Sequence, residues 1–107
     1  MRVIYKAPGK APEIIEIENT LEALQEKVGG YIEVVTMAKN ARIICNEEGR
    51  LRGLPYNITL QGEAFVGPIL IVGTGGEEFR DLENAEYLRD CIAERAVLEQ
   101  LIRRAAP

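Results

Sequence analysis

The chain has 107 residues, 47% of them hydrophobic and 28% charged, with thirteen basic and seventeen acidic groups for a net charge of −4. That length is one domain over residues 1–107, the composition is that of a soluble globular fold, and no apolar run approaches the ~18 residues of a membrane span. With no His, Trp or Ser present, hydrolytic triads and histidine-based zinc sites are excluded, and the acidic balance argues against a protein that wraps duplex nucleic acid.

Arg2 to Lys6 reads as a short strand, Ala7 to Pro12 as a turn-rich loop, and Glu13 to Glu18 as a second strand, together a hairpin. The opening residues run straight into strand pattern without an apolar signal region, so a reducing cytoplasm is the expected compartment. Asn19 is placed as an N-cap with Glu22 three residues later, and Leu21, Leu24 and Val28 recur at helical spacing before Gly29-Gly30 ends the pattern. Tyr31 to Met37 and Ala41 to Cys45 are β-branched runs joined at Lys39-Asn40, a second hairpin. Asn46-Glu47-Glu48-Gly49 is a turn signal with Gly at a position suited to positive φ, and Arg50-Leu51-Arg52 is placed as a strand returning beside it. Gly53 to Asn57 follows as a loop. Phe65 to Val72, apolar on both faces apart from Gly67-Pro68, is expected to be the central buried strand.

Gly73-Thr74-Gly75-Gly76 then turns the chain, and residues 78–105 read as one long helix carrying Leu82, Leu88, Ile92, Leu98, Leu101 and Ile102. An unbroken helix of that length, about 40 Å, overhangs any core so small a domain can offer. Either part of its apolar face meets another subunit, or the helix breaks near Asn84 and folds back on the sheet. The fold expected is α+β: an antiparallel sheet of about five strands, one short helix and a long C-terminal helix.

Candidate chemistry is sparse. The glycines at 73–76 are not a phosphate loop, because no Gly-Lys-Ser/Thr follows and Glu77 and Glu78 would repel a phosphate. The pairs Glu47-Glu48 and Glu77-Glu78 have no third acid at a fixed spacing, so no metal site is expected. Cys45 and Cys91 stand too far apart for a CxxC pair and read as reduced core thiols. The interval Arg50 to Asn57 is richer: Arg50 and Arg52 suit phosphates, Tyr56 can stack on a base, and Asn57 can read a base edge. Lys6 and Lys10 on the N-terminal hairpin are possible additions. The alternative is a hairpin strand with exposed arginines and a packed loop.

Several blocks stand in a recognisable order: Ala7-Pro8-Gly9-Lys10, Asn19 to Gln25, Gly29-Gly30-Tyr31-Ile32-Glu33, Cys45-Asn46-Glu47-Glu48-Gly49, Gly53-Leu54-Pro55 with Asn57, and Ile69 to Gly73. Over about residues 1–80 the chain resembles a domain-of-unknown-function family of small proteins from phages, plasmids and mobile elements. Relatives often carry Gly-Leu-Pro-Pro-Asn-Arg, where this chain has Tyr56 and Ile58 in place of the second Pro and the Arg. No constellation positions a general base, so no catalytic residue and no cofactor are expected, nor a membrane or duplex partner; the resemblance implies a phage counter-defence protein that acts by binding. It would sequester a nucleotide immune signal such as a cyclic dinucleotide in a homo-oligomer, dimer or tetramer, within the host cytoplasm. The competing expectation is a protein inhibitor of a host nuclease or other defence protein.

Overall fold

Strict alternation in one strand organises the molecule. In the computed structural model, which describes residues 1–105, β7 (Ile69–Gly75) turns Ile69 and Ile71 to one face of a sheet and Leu70 and Val72 to the other, and all four are fully buried. A strand buried on both faces belongs in the middle of three layers. Its neighbours are β1 (Arg2–Lys6) and β4 (Ala41–Asn46), both antiparallel, with β2 (Glu13–Glu16) beyond β1 and β3 (Ile32–Ala38) beyond β4. The order is β2-β1-β7-β4-β3. β8 (Glu78–Arg80) completes the six-stranded sheet by taking the end of β7 that β1 leaves unpaired.

One face is closed by α1 (Leu21–Val28), whose Leu24 and Val28 meet Val3, Ile44, Leu70 and Val72. The other face carries Ile4, Ile43, Ile69 and Ile71 against α2 (Ala85–Ala105) and against a separate two-stranded hairpin, β5 (Tyr56–Leu60) and β6 (Glu63–Val66), through Ile58 and Phe65. The expected α+β architecture holds, with a short helix, a long C-terminal helix and an antiparallel sheet.

Local departures from the sequence reading have physical causes. Thr20 rather than Asn19 caps α1, its Oγ1 accepting from the Ala23 amide at 3.2 Å, while Asn19 donates to the Phe79 carbonyl at 2.8 Å. Arg50-Leu51-Arg52 is not a strand, because both edges of β4 are already taken by β3 and β7; the chain coils instead, with Arg52 N bonded to the Glu48 carbonyl and Leu54 N to that of Gly49. Gly49 does not adopt positive φ; a Cβ there would lie 2.9 Å from a methyl of Val66 and 3.3 Å from the Asn46 carbonyl, so close approach is what requires glycine. The β5–β6 hairpin, unforeseen, turns at Gln61-Gly62 with both residues at positive φ, the conformation of a two-residue hairpin loop.

The helix expected over 78–105 begins only at Ala85. Gly73 to Gly75 remain in β7, Gly76 turns the chain into β8, and Asn84 at φ 55° precedes α2. Residues 78–80 gain a partner strand on β7 that a helix could not use. Leu82 then drops into the core, its amide bonded to the Arg2 carbonyl at 2.9 Å. No helix precedes Asn84 to be broken there, and α2, starting at Ala85, still leaves Val97, Leu98, Leu101 and Ile102 exposed. No helix among the described residues is long and apolar enough to cross a membrane.

Candidate functional site

Alternation along β1 sets the site. Ile4 faces α2, so Lys6, two residues on, faces the same way, opposite Ile69 of β7. Its ammonium is therefore carried into the layer between sheet and helix, and Lys6 is only 2% exposed. There Nζ donates to Oδ1 of Asn57 at 2.7 Å and, at 3.4 Å, to the Ala7 carbonyl. No carboxylate among the described residues comes within ion-pair distance of it. Burial pushes the Lys6 pKa down, and the more distant Glu99 opposes the shift.

Lys6 forms part of the wall of a cleft of about 500 Å³ bounded by the β1–β2 loop, the start of β5 and the second half of α2. Lys10, with Pro8 and Pro12, forms the loop side, Tyr56 and Asn57 the floor, and Arg103 with Gln100 the helix side. Among the described residues, three cations against one carboxylate, Glu99, line it. A chain of net charge −4 thus gathers a local excess of two positive charges.

Asn57 is a positioning residue here. Its Nδ2 donates to the carbonyls of Lys6 at 2.8 Å and Gly67 at 2.7 Å while Oδ1 receives Lys6, so its amide ties β5 to β1 and to the link before β7. Tyr56 is held from the opposite side. Its hydroxyl donates to Glu99 Oε1 at 2.8 Å and lies 2.7 Å from Thr59 Oγ1, which must then be the donor of that second bond. The Arg103 guanidinium sits 4.5 Å from the centre of the Tyr56 ring, a cation–π distance. Glu99 also accepts from the Thr59 amide at 3.1 Å and Arg95 Nε at 3.0 Å. Burial works against its charge, but the bonds from Tyr56, Thr59 and Arg95 outweigh burial and hold the carboxyl below the usual carboxylate range. Glu99 therefore locks α2 over β5, and its oxygens are committed to the protein.

Four of the six residues singled out in the sequence, Lys6, Lys10, Tyr56 and Asn57, meet in this cleft. Arg50 and Arg52 do not. Arg50 donates to the Ala64 carbonyl at 2.6 Å beside a second cleft of about 440 Å³, which also holds Glu33, Glu47 and Glu63. That surrounding is acidic: the Cys45 thiol within it is pushed up to about 12, by burial first and then by Glu33. Arg52 donates to the Gly29 carbonyl at 2.9 Å, satisfying the C-terminal end of α1. Arg103 was missed, since in the sequence it is one arginine among several in a helix and nothing local ties it to Tyr56. Cys45 is buried as expected, whereas Cys91 is exposed. Among the described residues no three His, Cys, Asp or Glu side chains converge as a metal site would require.

No curated protein and no solved structure matches the chain. A family model described as a domain of unknown function, DUF3846, matches residues 1–93. That span takes in the whole sheet, both walls of the cleft contributed by β1 and β5, and the first turns of α2. With most of its length matched, the chain belongs to the DUF3846 family.

Proposed function

We propose that the protein is a non-catalytic binding module that captures a small nucleotide, with a cyclic dinucleotide as the leading class, in the cleft between the β1–β2 loop, β5 and α2. The observation that carries this reading is the buried Lys6 ammonium, which lacks a carboxylate partner among the described residues and borders a locally cationic cleft. A buried cation without a counter-charge is costly, and a phosphate entering the cleft would supply that charge. Lys10 and Arg103 can add charge-assisted hydrogen bonds. The Tyr56 ring offers a stacking surface once Arg103 turns from ring to phosphate. The biological role proposed is sequestration of a nucleotide immune signal by a phage- or plasmid-borne counter-defence protein, working as a homo-oligomer in the host cytoplasm.

Calorimetry against a panel of cyclic di- and trinucleotides and ADP-ribose derivatives tests this. At least one should bind and be recovered intact after heat release. Arg103→Ala should weaken it by about 10- to 100-fold, the value of one charged hydrogen bond, while Arg50→Ala and Arg52→Ala leave affinity unchanged. Silence across the panel overturns the reading. A second reading, inhibition of a host defence protein, is favoured by one observation, the exposed apolar residues of α2. A host protein recovered by pull-down together with a silent panel would establish it instead.

A further inference from the structure

α2 has three faces. Ala85, Leu88 and Ile92 pack on the sheet, and Val97, Gln100 and Arg103 border the cleft. The third face has no partner among the described residues: Tyr87, Cys91, Leu98, Leu101 and Ile102 are exposed, Leu101 and Ile102 by 56% and 58%. Along it Tyr87, Cys91, Glu94, Leu98, Leu101 and Ala105 succeed one another at alternating steps of four and three residues. That is the seam spacing of a two-helix coil, and Ile102 widens it on the flank away from the cleft.

We infer that this seam pairs antiparallel with α2 of a second copy of the chain, and that the pairing sets the two clefts on one side of the dimer. Charge selects the occupant and the direction. Asp90, Val97 and Arg104 flank the seam on the cleft side, seven residues apart. In an antiparallel pair the same flank of each helix faces the other, so Val97 meets the partner's Val97, and Asp90, whose Oδ1 accepts from Arg89 at 3.1 Å and whose other oxygen has no ion-pair partner among the described residues, meets the partner's Arg104, twice by symmetry. A parallel pair would press Glu94 against the partner's Glu94 in the seam. Arg95, on the opposite flank, is already engaged by Glu99 at 3.0 Å, so its charge is balanced within its own subunit. Because the flank that carries these contacts is also the rim of the cleft, the partner's helix forms the wall beyond Val97. The consequence for the ligand rests on the nucleotide reading above: a ligand with two anionic ends finds two cationic clefts opening on the same side.

Light scattering and sedimentation of the full chain test the pairing. A single helix pair is a modest interface, so a concentration-dependent dimer is expected across roughly 1–100 μM. The double variant Leu98→Glu/Leu101→Glu should be monomeric with an unchanged far-UV spectrum, since both side chains are exposed. Asp90→Arg should weaken the dimer by roughly 10-fold, as should Arg104→Asp, and combining the two should restore it. A wild type that stays monomeric, or a dimer that survives the double Glu variant, overturns the pairing. Failure of the charge swap to restore the dimer overturns its antiparallel direction. Calorimetry of the monomeric variant with a cyclic dinucleotide separates the two claims: retained binding leaves the cleft standing whatever the dimer does, and a dimer that binds nothing defeats the cleft alone.

Discussion

Replacing Lys6 by Met separates a lysine kept for ligand from one kept for structure. The substitution removes the ammonium and leaves Asn57 Oδ1 without its 2.7 Å donor, a cost of about 1–3 kcal/mol for an orphaned buried acceptor. Against this, it removes a buried charge that has no carboxylate partner among the described residues, and Met fills nearly the same volume. The two effects offset, so the ligand-free variant should lie within about 1.5 kcal/mol of wild type. The balance shifts with pH. A lysine harder to protonate in the folded than in the unfolded chain costs stability below both pKa values, and the cost is relieved as pH rises through the folded value towards 10.5. Wild type should therefore gain on Lys6→Met as pH rises through the folded value towards 10.5, read as the difference between their urea unfolding free energies. A saturating ligand should then distinguish them sharply. At 100 times Kd, a cyclic dinucleotide should stabilise wild type by about 2.7 kcal/mol, a rise of roughly 10–20 °C in Tm, and the variant by far less. A variant that loses more than about 3 kcal/mol without ligand, yet gains as much from ligand as wild type does, would refute the reasoning and make Lys6 structural.

Four further outcomes follow from the same contacts. Glu99→Gln should destabilise the protein by about 1–3 kcal/mol at neutral pH by weakening the bonds to Tyr56, Thr59 and Arg95. Because the Glu99 pKa is lowered from 4.5 on folding, wild type should lose that advantage as pH falls below 4.5 and through the folded value, as acid titration of the two proteins would show. Arg52→Ala should cost about 1 kcal/mol through the Gly29 carbonyl, without altering nucleotide affinity by calorimetry. Gly73→Ala should fail to give a well-folded protein by near-UV circular dichroism, because its Cβ would lie 2.2 Å from the backbone oxygen of Asp81. In the monomeric Leu98→Glu/Leu101→Glu variant, alkylation followed by mass spectrometry should label exposed Cys91 and spare Cys45, which is buried with a thiol pushed up to about 12.

The parts of the fold that were legible in the sequence are those whose signal is local. Partial alternation marked β2, β-branched runs marked β3 and β4, the apolar run at 69–72 marked the central strand, and Gly29 marked the end of α1. What was not legible depends on which edges are free. Arg50 to Arg52 have strand-like composition, but β4 had no edge left to offer them. Glu78 to Arg80 read as the start of a helix, and became strand because β7 had an unpaired end. The β5–β6 hairpin turns on Gln61-Gly62, a weaker turn signal than Asn-Gly or Asp-Gly. The site divides along the same line. Tyr56 and Asn57 stood out by residue type, and Lys6 and Lys10 by charge. The long-range contact that brings Arg103 onto Tyr56 and Glu99 onto Thr59 has no trace in local composition.

The central claim is that one cleft binds a small anionic nucleotide, and amide chemical-shift mapping tests it most directly. Titrating a cyclic dinucleotide into isotope-labelled protein should move the signals of Lys6, Gly9, Lys10, Tyr56, Asn57, Val97, Gln100 and Arg103, which together border the cleft. Signals at Arg50, Arg52 and Glu63 should stay in place. Shifts centred on the second cleft around Arg50, or no shifts at saturating concentration of any nucleotide in the panel, would contradict the account.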